Sequence, residues 1–182
     1  MIYTVELNYS DLSTTSEWSA WYEIYLQQLT SLEGIDTAQR FQAVDKNAHF
    51  WEYLAIYTVP NLDVYDTVAY RSIGGGGNAS KAFHHAISRR RNVYDGVERM
   101  PEVPETHRVL LCENLPNGID VPGVIFAPLW VGARNQPAGA TRIDGTPERR
   151  AIALTDAATV DRLELTRVDG LSVYEPITKQ YA

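Results

Sequence analysis

The chain has 182 residues, 45% hydrophobic and 21% charged, ordinary proportions for a globular protein that buries one core or two small halves sharing a core. Its net charge of −7 argues against non-specific association with nucleic acid or an anionic membrane, and its single cysteine, Cys112, excludes an intrachain disulfide and a thiolate metal cluster. No apolar run approaches the roughly 20 residues of a membrane span, and the first residues lack the regions of a signal peptide, so the expected location is the cytoplasm.

Residues 2–9 set Tyr3, Val5, Leu7 and Tyr9 against Ile2, Thr4, Glu6 and Asn8, the period of a strand. Thr14 and Glu17 then have the spacing of a capping box. Trp18, Trp21, Tyr22, Tyr25, Leu26, Leu29 and Leu32 follow at helical spacing, a stripe that has to be buried against something. Gly34 suits the left-handed residue that ends a helix. Residues 35–44 read as a half-buried strand, 45–47 as a polar break, and 50–59 as the most strand-prone run in the chain. In that run Leu54 and Ile56 share one face; Trp51, Tyr53, Ala55 and Tyr57 share the other. The aliphatic face is expected to pack helices and the aromatic face to line a ligand cavity.

Residues 61–72 read as a second helix, capped by Asn61, with Val64, Tyr65 and Val68 inward. The glycines at 74–77 lack the following Lys and Ser/Thr of a P-loop and read as a connection. Residues 80–97 read as a third helix carrying His84, His85, Arg89, Arg90, Arg91, Tyr94 and Asp95. After a linker with two prolines at 100–106, strands are expected at 107–115, 124–132, 162–168 and 171–177. A short helix is expected from Thr146-Pro147-Glu148 through residue 154. A faint internal repeat pairs residues 37–41 with 159–163, and 54–57 with 171–174. The simplest reading is two α+β halves, 1–97 and a shortened, strand-rich 98–182, packed as one unit.

The order strand, helix, strand, strand, helix resembles one unit of the dimeric α+β barrel superfamily, a ferredoxin-like fold with an antiparallel sheet packed by helices. Trp21-Tyr22, Leu32-Glu33-Gly34-Ile35, Ala38-Gln39-Arg40-Phe41 and Tyr53-Leu54-Ala55-Ile56-Tyr57 resemble, in order and spacing, the pattern of its EthD-like members. The stretch from Ser88 to Gly96 also resembles a motif of larger, two-unit relatives. Many such proteins carry a His a few residues after the Trp-Tyr pair. Here that place is near Leu26, so chemistry resting on that His does not transfer. The resemblance implies a cavity between sheet and helices, frequent homodimers, and small hydrophobic or aromatic ligands. It leaves the reaction open, because one fold hosts many chemistries.

Histidine is the commonest general acid or base. His84, which shares a helix side with Arg91 and Tyr94, and His49, which opens the aromatic strand, are the candidate proton movers; the competing reading of each is a solvated residue. Arg40 lies on a strand face with Ala38 and Gln42. If buried there it needs an anion, either Glu52 in a salt bridge or a substrate carboxylate or enolate. Tyr57, Tyr53 and Tyr70 are candidate donors to an oxyanion, against the plainer reading of aromatic packing, and Trp51 would shape the wall. No HExxH-like spacing occurs, and neither metal nor cofactor is expected. The expected function is a cofactor-independent enzyme acting on a small apolar or aromatic oxygenated molecule by proton transfer, of lyase, isomerase or cyclase type. The competing readings are a haem-linked or oxygen-using member of the same superfamily and a non-catalytic small-ligand-binding protein.

Overall fold

A computed structural model of the chain describes residues 1–45, 51–73, 80–113, 120–132 and 147–182. Eight strands form one antiparallel sheet: β1 (Ile2–Tyr9), β2 (Thr37–Ala43), β3 (Tyr53–Thr58), β4 (Ile87–Tyr94), β5 (His107–Cys112), β6 (Ala127–Trp130), β7 (Arg149–Asp156) and β8 (Leu171–Pro176). Their order is β4-β1-β3-β2-β8-β5-β7-β6. The first four and the last four strands thus repeat one arrangement, in which the opening strand lies between the fourth and the third and the second is outermost. The two sets join where Phe41 of β2 faces Pro176 of β8. At the far ends Asp95 and Trp130 pair and exchange backbone hydrogen bonds of 2.9 and 3.3 Å, so the sheet curls into a nearly closed barrel. Gly96 permits this approach: its φ is +107°, and a Cβ there would sit 1.9 Å from the Pro128 carbonyl oxygen.

The sheet is covered on both faces, so every residue of β3 is buried. Inside, Ile2, Phe41, Leu54 and Ile56 meet Val109, Leu111, Ile152 and Tyr174. Outside the first four strands, α1 (Thr15–Thr30) lays Trp18, Tyr22, Leu26 and Leu29 onto Tyr3, Val5, Tyr53 and Tyr57. Each such large side chain contributes about 1.5–3 kcal/mol on full burial, which fixes the helix to this face. Outside the last four strands, α3 (Ala157–Arg162) and a 3₁₀ turn at Leu165–Arg167 cover Leu110, Ala151 and Val173.

The aromatic face of β3 therefore takes the helix, and the aliphatic face, expected to pack helices, takes the opposite wall of the barrel; Tyr57 of the aromatic face lines a cavity under that helix, as expected. Residues 80–97 are a 3₁₀ turn (Lys81–Ala86) followed by β4, not a helix. Polar residues on both faces of that strand hide its period of two. Residues 149–156 are β7 where a helix is expected, and residues 162–168 hold a helix end and a turn where a strand is expected. Asp156 starts α3 by accepting the Thr159 N–H at 2.8 Å.

The second expected helix breaks at Thr67 into a 3₁₀ turn (Asp63–Asp66) and α2 (Val68–Ser72), capped by Thr67 Oγ1, which accepts the Tyr70 N–H at 3.1 Å. Val64 and Tyr65 are buried there, but Val68 is exposed, and Asn61 makes an Asx turn with Asp63 instead of a cap. The Thr14–Glu17 box does not form, because the Thr14 hydroxyl bonds Asp11 and Tyr9. Gly34 is left-handed, but lies in the turn beyond the helix end at Ser31. The sequence repeat holds only in part: residues 159–162 lie on α3 whereas 37–41 lie on β2, but 54–57 and 171–174 lie on β3 and β8. The repetition is one of strand order. His49 and the glycine run at 74–77 lie outside the described residues.

Candidate functional site

A cavity of about 60 Å³ lies between α1 and the outer face of the first four strands. Strand alternation supplies its floor: Tyr3 and Val5 from β1, Tyr57 from β3, Arg89 and Arg91 from β4. Helical spacing supplies its roof, Trp21, Tyr22 and Tyr25. Tyr65 and Tyr70 close one side, and Ser80 lines it from the turn before β4. The tyrosines brace one another. Tyr3 lies edge-on to Tyr65 (5.4 Å) and Tyr65 to Tyr70 (5.1 Å), while Trp21 stacks on Tyr25 (5.3 Å). The hydroxyls of Tyr22 and Tyr57 lie 3.2 Å apart. Burial raises the pKa of Tyr3, Tyr22, Tyr57 and Tyr65, so these groups stay protonated and act as donors. The Tyr65 hydroxyl is buried and has no hydrogen-bond partner among the described residues.

Of the residues expected at a site, Tyr57, Tyr70 and Arg91 line this cavity. Arg40 stands behind it. Its guanidinium lies 4.2 Å from the Tyr22 ring, 4.7 Å from Trp18 and 5.7 Å from Tyr53, and Nη1 donates to the Ser19 carbonyl and hydroxyl oxygens at 3.3 Å. Nη2 has no hydrogen-bond partner among the described residues, and burial lowers the Arg40 pKa. The expected Arg40–Glu52 salt bridge is replaced by a 2.9 Å bond from Gln42 Nε2 to Glu52 Oε1. Tyr53 packs on Trp18 at 4.9 Å, and burial, with Glu52 beside it, pushes its hydroxyl up to about 12.

His84 does not line the cavity. It is exposed, and its Nε2 is 2.8 Å from the Ser80 hydroxyl, which does. Arg91 and Tyr94 do not share a side, because on a strand they face opposite ways. Tyr94 points into the barrel and donates to the Pro147 carbonyl at 2.9 Å. Trp51 lies 5.4 Å from the Arg90 guanidinium and accepts the Tyr174 hydroxyl on its carbonyl. The expectation missed Tyr3, Tyr22, Tyr65, Ser80 and Arg89. Alternation marked Tyr3, but Tyr22 read as packing, and nothing local marked Ser80.

The barrel interior holds a different polar cluster. Glu6 takes two hydrogen bonds from Arg90 (2.8 and 2.9 Å) and two from Arg150 (2.8 and 2.9 Å), and Glu113 contacts both arginines. Arg150 and Glu6 are almost wholly buried.

No known family's sequence profile matches the chain, and no curated protein matches it. Solved structures do, among them the following two. One is described as a candidate chlorite dismutase, at 14% identity and a TM-score of 0.50, covering 97% of this chain and 95% of that one. The other is an anthrone oxidase-like protein, at 11% identity and a TM-score of 0.50, covering 99% and 92%. The chain has the dimeric α+β barrel fold. Its barrel is assembled from the strands of a single chain, and the cavity lies outside that barrel, under α1.

A haem would need a histidine facing an enclosed space. His84, His85 and His107 do not line the cavity under α1, and that cavity is far smaller than a porphyrin, so its residues do not fit that group. Among the described residues no cluster of three metal-ligating side chains occurs, and no helix is long and apolar enough to cross a membrane. What the cavity offers chemically is a set of hydroxyl donors, two guanidinium groups and one serine tied to an exposed imidazole.

Proposed function

We propose that the chain is an enzyme that moves a proton on a small apolar or aromatic oxygenated molecule held under α1, by lyase, isomerase or cyclase chemistry without a cofactor. The observation that carries this reading is the 2.8 Å hydrogen bond between the cavity-lining Ser80 hydroxyl and Nε2 of exposed His84. An imidazole is the side chain best suited to exchange protons with water near neutral pH, and Ser80 links it to the enclosed space. Of the hydrogen-bonded Tyr57 and Tyr22 hydroxyls, both kept protonated by burial, the one that accepts from the other has its own O–H left to donate to the oxyanion as it forms. Arg40 packs on the Tyr22 ring and sets its position. The finer kinship with EthD-like proteins belongs to this reading. In its support, Trp21, Tyr22, Arg40 and Tyr57, which carry the resemblance, gather on one face of the sheet. So does a division into tandem units, 1–97 and 98–182, supported by the repeated strand order. The expected homodimer would then pair two such barrels.

The test is solvent-deuterium exchange at carbon next to a carbonyl, followed by NMR across a panel of small ketones, oxo acids and phenolic carbonyl compounds. The wild-type protein should accelerate exchange in at least one compound. His84→Ala and Ser80→Ala should each cut that rate by about 10²–10⁴-fold. Exchange at the background rate throughout, or rates indifferent to both substitutions, would overturn the reading.

A further inference from the structure

Resting on that reading of the cavity, we propose that its ligand is a small organic monoanion, with a carboxylate held by Arg91 and Arg89 and the Tyr65 hydroxyl donating to one of its oxygens. The lining gives the charge balance. Two arginines and no Asp or Glu line the cavity among the described residues, and its other polar side chains are six tyrosines and Ser80. Burial keeps Tyr3, Tyr22, Tyr57 and Tyr65 un-ionised, so none of these four adds negative charge to the lining. The chain carries a net charge of −7, so this patch reverses the sign of the whole molecule locally.

Tyr65 is the second, independent observation. Its residue is 6% exposed, and its hydroxyl meets no partner among the described residues. Edge-on contacts with Tyr3 and Tyr70 hold the ring, so the hydroxyl cannot swing out to water. A buried donor is normally satisfied, and here the space beside it is the cavity. A guanidinium fork matches the two oxygens of a carboxylate better than it matches a neutral carbonyl. The aromatic walls and the small volume select a compact body, a single ring or a short chain.

The experiment measures dissociation constants of the full chain for two matched pairs, benzoate against benzamide and 2-oxobutanoate against 2-butanone, by titration calorimetry at pH 7. In at least one pair the acid should bind about tenfold or more tighter than its neutral partner, the range of a hydrogen bond to a charged group. Arg91→Met and Tyr65→Phe should each shrink that ratio, weakening the acid more than its neutral partner. Arg89→Met, at a half-buried position, gives the same readout if Arg91→Met does not fold. Equal binding of acid and neutral compound overturns the monoanion proposal and leaves the cavity reading standing. An acid preference that survives all three substitutions also overturns it. No binding of any of the four compounds overturns both.

Discussion

On β4, Arg90 turns into the barrel while Arg89 and Arg91 turn outward beneath α1. The inward cation ends on Glu6, which Arg150 also grips, with Glu113 beside both. The outward pair ends in a space walled by rings and hydroxyls. One residue of register separates a charge locked in a network from a charge facing a cavity. The inner cluster carries two arginines and two carboxylates, so its charges balance without an outside partner. Among the described residues the outer lining holds no carboxylate, and its excess of positive charge makes it the candidate for an anionic ligand.

The sharpest way to break this contrast is to remove the inner anion. Glu6→Gln leaves Arg90 and Arg150 short of a buried partner, and is expected to cost about 3–5 kcal/mol in urea unfolding. A cost below about 1 kcal/mol, the scale of a surface substitution, would mean Glu113 alone suffices and the two faces differ less than claimed. The same carboxylate sets a pH dependence. Burial alone would raise the Glu6 pKa, but Arg150 and Arg90 outweigh it and hold the group below the ordinary 4.5. A folded pKa below the unfolded one stabilises fully at higher pH and is lost as pH falls through the folded value. Stability should therefore decline as pH drops below about 4.5, and decline less steeply in Glu6→Gln, as followed by unfolding at stepped pH.

The contrast also needs an inside, and that depends on closure. Gly96→Ala puts a Cβ on the Pro128 carbonyl at a positive φ, and should cost about 2 kcal/mol. Amide exchange at Asp95 and Trp130 should speed up first, because their mutual hydrogen bonds are the seam. Unchanged protection at both amides would show that the barrel does not depend on this contact.

Much of this was legible before the structure, and the misses share one cause. β1 and β3 alternate cleanly because one set of their side chains meets the interior and the other meets α1. The α1 stripe was equally plain. β4 was opaque because its charges are used on both faces, which erases the polar-apolar contrast that marks a strand. β7 carries Arg149 and Arg150 at its start, after Pro147, and so resembles a helix start. The site was half legible. Tyr57, Tyr70 and Arg91 were named from the sequence, but Arg91 was grouped with Tyr94, which faces the other way. Ser80 and Tyr65 had no local signal, because what distinguishes them is a partner, or the lack of one, that only folding supplies.

Arg40 belongs to neither face's pattern, and the smallest expected effect tests it. It is a buried cation with aromatic rings for neighbours, hydrogen bonds to Ser19 and no carboxylate partner among the described residues. Contact with the rings is worth about 2 kcal/mol when desolvated, and taking the charge out of water costs about as much or more. The two terms nearly cancel, so Arg40→Met, which keeps the bulk and drops the charge, should unfold within about 1 kcal/mol of wild type. That near-neutral result would place Arg40 with the outer site: a residue stability does not require, packed on the ring whose hydroxyl pairs with Tyr57. A loss near that of Glu6→Gln would place it with the inner cluster, as a charge the fold depends on, and would remove Tyr22 from its sphere of influence.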